Sequence, residues 1–139
     1  MKIWRGLLVF LLVVGLAGFM ACAKGGKYGE AKELMNKSLT AMEAYINEID
    51  QAKDAKAVAA AIGHFKDSMA ALKPKMQALD KKYPELKDET KAPEEVKPLM
   101  TKMQEISGKF INASMKAYQY NQDPEVQKAQ EELNKLMRE

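Results

Sequence analysis

The chain of 139 residues contains one cysteine and one histidine. A single cysteine allows no internal disulfide and no Cys-x-x-Cys-His haem attachment. A single histidine, His64, with Ala61 three residues before it, excludes the paired Glu-x-x-His motifs of di-iron bundles. Away from His64 no plausible base is available for a catalytic triad, and no glycine-rich phosphate loop follows a strand. Aromatic residues make up only 7%, and there are just 8 Gly and 5 Pro. Period-two alternation is missing over any useful length, so β-structure has little support. Charge of either sign is not in surplus. Of 22 Lys and Arg, Lys2 and Arg5 belong to the amino-terminal stretch, leaving 20 against 19 Asp and Glu. That balance gives no basic footprint for nucleic acid. What the chain holds in plenty is methionine, at 10 residues, which suits an adaptable helical core.

The amino end reads MKIWRGLLVFLLVVGLAGFMAC. Lys2 and Arg5 form a charged region, Leu7–Leu16 an apolar one, and small residues follow. The apolar run is shorter than the roughly 20 residues of a membrane-spanning helix. The segment resembles a bacterial lipoprotein signal, with Ala21 before Cys22 as in the lipobox and Phe19 where leucine is usual. That resemblance implies cleavage between Ala21 and Cys22 and a lipid on Cys22, which becomes the first mature residue. The expected organisation is a signal peptide over 1–21, a glycine-bearing tether over 22–29 and a helical body over 30–139. Ala23 supplies no aspartate retention signal, which by analogy with enterobacterial sorting points to the outer membrane.

From Ala31 onward, apolar residues recur at helical spacing. A first helix over about 30–52 has the seam Met35, Leu39, Met42, Ile46 and Ile49, widened by Leu34 and Tyr45. A second over about 55–82 runs Ala55, Val58, Ile62, Phe65, Met69, Leu72, Met76 and Leu79, an unbroken 3,4 alternation. A third over about 94–120 carries Val96, Leu99, Met103, Ile106, Phe110, Ala113, Ala117 and Tyr120, and a fourth over about 124–138 carries Val126, Ala129, Leu133 and Leu136. Asp54 and Asp123, the latter followed by Pro124, suit helix starts. The expected fold is all-α, an antiparallel up-down-up-down four-helix bundle with a charged connection over 81–93. The methionines mostly fall on the seams, where core filling outweighs copper binding.

Pro74, Gly63 and Gly108 interrupt this pattern inside the second and third helices. A bend at Pro74 and close helix approach at the glycines, beside Phe65 and Phe110, are the favoured explanations over a widened ligand site.

NEIDQAKDAKAVAAAIGHF, YPELKDETKAPEEVKPLM and DPEVQKAQEELNKL resemble stretches of the soluble cytochrome b-562 family. These are small periplasmic four-helix bundles that hold haem b through a methionine in the first helix and a histidine near the end of the last. The resemblance places Leu39 at the methionine's position, flanked by Met35 and Met42, and the last helix contains no histidine. It therefore implies the fold without the family's ligand pair. Two expectations follow. The first is a non-catalytic, lipid-anchored periplasmic bundle with no cofactor, binding or supporting an unknown envelope protein. The alternative is a haem b electron carrier ligated through His64 with Met35 or Met42.

Overall fold

In a computed structural model, residues 26–87 and 92–138 are described. The signal peptide, Cys22 and its cleavage site lie outside the described residues. The described chain is all-helical, with no strand, and consists of α1 (Gly29–Gln51), α2 (Ala55–Lys82), a short 3-10 turn (Pro84–Lys87), α3 (Lys97–Tyr118) and α4 (Pro124–Arg138). Four α-helices of this length are consistent with a four-helix bundle.

The helix limits follow from local chemistry. Asp54 caps α2, its Oδ1 accepting the Ala57 N–H at 2.8 Å. Asp123 caps α4 in the same way, accepting the N–H groups of Glu125 and Val126 at 2.9 and 3.4 Å. Pro124 fills the first position of α4, where no donor is required. The third helix begins at Lys97 instead of near 94, because the Val96 N–H turns back to the Pro93 carbonyl. It ends at Tyr118, after which successive three-residue turns lead into Asp123. α2 continues through Pro74, which lies on the solvent side together with Ala70, whose carbonyl loses its helical donor to the proline.

The chain divides into two compact units. The first unit joins α1 up to Leu39 to Ala71–Gln104. Its core contains Ala31, Leu34, Met35 and Leu39 of α1, Leu72, Met76 and Leu79 of α2, and Met103 of α3. The connection expected to be merely charged contributes to that core: Tyr83, Leu86 and Ala92 are all buried, as is Val96, expected on the third seam and placed just ahead of α3. Tyr28 is also buried, with its ring 5.3 Å from that of Tyr83, while the Tyr83 hydroxyl donates to the Lys27 carbonyl at 3.2 Å. Residues 26–29, expected to close a tether, are thus packed against the body. Gly26 opens this turn at φ 72°, a conformation that side chains other than glycine's rarely tolerate.

The second unit joins Thr40–Ala70 to Glu105–Glu139. Its core is built on Met42, Tyr45, Ile49, Val58, Ile62, Phe65, Met69, Ile106, Phe110, Ala113, Ala117 and Val126. α4 is less deeply set, since Ala129, Leu133 and Leu136 of its seam remain half-buried. Ion pairs tie its helices on the outside: Lys66 to Glu132 at 2.8 Å and Lys116 to Asp50 at 3.5 Å.

Candidate functional site

The interior of the second unit is organised around three rings. Tyr45, Phe65 and Phe110 come from three different helices, and each touches the other two at centroid distances of 5.1, 4.9 and 5.1 Å. The tilted interplanar angles of 38–49° suit the ring quadrupoles better than a face-to-face stack. The helical seams put these residues here: Tyr45 widens the α1 stripe, and Phe65 and Phe110 lie on the 3,4 alternations of α2 and α3. Tyr45 is the polar member. Burial pushes its phenol above the ordinary value, and a hydrogen bond with Ser114 works against that rise.

His64 points away from this interior. Its side chain is 69% exposed, and Nδ1 lies 2.9 Å from a Glu48 carboxylate oxygen. Met42, in the same unit, is only 2% exposed, so its thioether is enclosed while the imidazole is in solvent. The structure therefore does not present Met42 and His64 as facing ligands. Met35 belongs to the first unit and is likewise buried, and Leu39 between them fills core volume. Ser38, beside Leu39, is a polar residue that periodicity did not mark for the interior. It is buried, and its hydroxyl has no partner among the described residues. Among the described residues, no group of three or more His, Cys, Asp or Glu could hold a metal ion.

The two helix glycines correct an expectation. A Cβ added to Gly63 or to Gly108 would meet nothing within 4 Å. Close helix approach therefore explains neither, because both face open space.

The remaining electrostatics are those of a solvated surface. The hydrogen bond and charge of Lys66 hold the Glu132 carboxyl below its ordinary value, and the same hydrogen bond raises Lys66. Glu33 is lowered chiefly by its hydrogen bond to Lys37. On the outer face of α4, Glu131, Asn134, Lys135 and Arg138 border a shallow depression. Sequence reasoning missed Tyr28, Tyr83 and Leu86 as structural anchors; isolated apolar residues amid charge were their only signal. No family model matches this sequence, and no curated protein or solved structure matches it.

Proposed function

We propose that this chain is a lipid-anchored periplasmic protein, held at the outer membrane through Cys22, with a non-catalytic binding or accessory role toward another envelope protein. Its four helices are read as an antiparallel up-down-up-down bundle of the cytochrome b-562 kind. The short links over 52–54 and 119–123 support that topology. The observation that carries the anchoring is the position of Cys22, which follows the apolar run and lies four residues before Gly26. Four residues span at most about 14 Å. Packing of Tyr28 against Tyr83 then keeps the amino end of α1 close to the lipid. Acyl chains contribute about 0.8 kcal/mol per buried methylene, so two or more hold a domain firmly at a bilayer.

The competing reading, a haem b electron carrier using His64 with Met35 or Met42, requires His64 to leave Glu48 and turn inward. No observation favours that rearrangement.

Detergent phase partition of the protein from cells tests the anchoring. The parent is expected in the detergent phase, and Cys22→Ser is expected to be released or left unprocessed. A parent that partitions into water contradicts the reading.

A further inference from the structure

The solvent face of a surface helix ordinarily carries its charges. α4 follows this rule, exposing Glu125, Lys128, Glu131, Glu132 and Lys135. The carboxy-terminal half of α3 does not. Opposite its buried seam, Gly108, Ile111, Asn112, Met115 and Tyr118 form a face without a single charge, in a chain that is 29% charged. Met115 is 52% exposed and Tyr118 65%. One turn separates these two large apolar side chains. On the same face, two turns before Met115, Gly108 leaves open space where a side chain would stand. Glycine there weakens the helix by about 1 kcal/mol relative to alanine, and no contact within the chain explains it.

We propose that this α3 face is a self-association surface whose occupant is the same face of a second copy, with the two α3 helices antiparallel. The face contains its own complement. An isologous contact sets each patch against itself. With the two-fold axis passing between Ile111 and Asn112, Met115 of each copy enters the space left by Gly108 of the other, a knob in a hole. A parallel pairing would instead oppose Gly108 to Gly108 and Met115 to Met115, leaving a gap beside a crowded contact. Charge neutrality matters because a charged stripe repels its own copy. A single helix face buries less than the roughly 1,600 Å² of a standard interface, so the dimer is weak and concentration-dependent. This surface is independent of whether Cys22 carries lipid.

Sedimentation equilibrium of the full chain in density-matched detergent, from micromolar to millimolar protein, tests the proposal. The parent should pass from monomer to dimer. Gly108→Ala should weaken dimerisation at least about tenfold while raising the thermal midpoint of the dilute monomer, because alanine strengthens the helix but fills the hole. Met115→Asp should abolish dimerisation and leave helicity intact. Under mild oxidation in a Cys22→Ser background, Asn112→Cys, beside the axis, should trap a covalent dimer, whereas Lys128→Cys should not. A parent that stays monomeric throughout overturns the proposal. So does association unchanged by both α3 substitutions, or trapping through residue 128 instead of 112.

Discussion

Phe110→Ala removes the ring on which the second unit's interior depends most directly. Phe110 is 3% exposed and lies 4.9 Å from Tyr45 and 5.1 Å from Phe65, so truncation strips both remaining rings of a neighbour at once. A buried aromatic side chain takes on the order of 150–250 Å² out of water. At about 25 cal/mol per Å², that corresponds to about 4–6 kcal/mol, of which the retained Cβ keeps a part. Large-to-small series put the net loss at about 3–5 kcal/mol, including the cavity. Domains of this size hold only about 5–15 kcal/mol in total, so the change is large. Urea unfolding followed by helical circular dichroism at 222 nm reads it as a lower midpoint at similar slope. Phe65→Ala should cost a similar amount. The double variant should fall short of the sum by about 0.5–1.5 kcal/mol, the share belonging to the ring pair itself. A loss below about 1 kcal/mol for Phe110→Ala, or strict additivity in the pair, would refute the packing described for this unit.

Other substitutions probe different parts of the account. Gly63→Ala, where an added Cβ meets open space, should raise stability by about 0.5–1 kcal/mol through helix propensity alone; a loss in the same urea assay would mean that a neighbour lies closer than the structure has it. Burial keeps the Tyr45 phenol protonated to higher pH in the folded chain, so the unfolded chain releases its proton first and stability should decline as pH rises above about 10. Tyr45→Phe should remove that component of the alkaline decline, and an unchanged pH dependence would contradict the assigned burial. Titration of haem b into the protein should give no tight one-to-one, six-coordinate complex, because His64 is exposed beside Glu48 and Met42 is enclosed. A sharp six-coordinate Soret band lost in His64→Ala would reverse that expectation.

Much of the helical architecture was legible because a single physical signal repeats along it. The 3,4 seams of α1, α2 and α3 each extend over several turns, and Asp54 and Asp123 mark starts by a capping chemistry that is local in sequence. The burial of Phe65, Leu72, Ile106 and Phe110 follows from that periodicity alone. Tyr28, Tyr83 and Leu86 were not legible, since each becomes part of a core through residues far away in the chain. Ser38 escaped for a related reason: a hydroxyl at a flanking seam position gives no sequence sign that it will be enclosed. The glycines misled in the opposite direction. Gly63 and Gly108 lie next to bulky seam residues, yet their own faces look outward, a distinction that adjacency in sequence does not make. His64 is exposed although it adjoins the buried Phe65, because one residue's offset turns a side chain by about 100° around the helix.

The central claim is that Cys22 is an anchor, and the mass of the amino-terminal peptide tests it most directly. Protein taken from cells and digested should yield a peptide that begins at Cys22 and carries acyl chains on its sulfur, with residues 1–21 gone. A peptide with Cys22 as an unmodified thiol, or one still continuous with Ala21, would contradict the account.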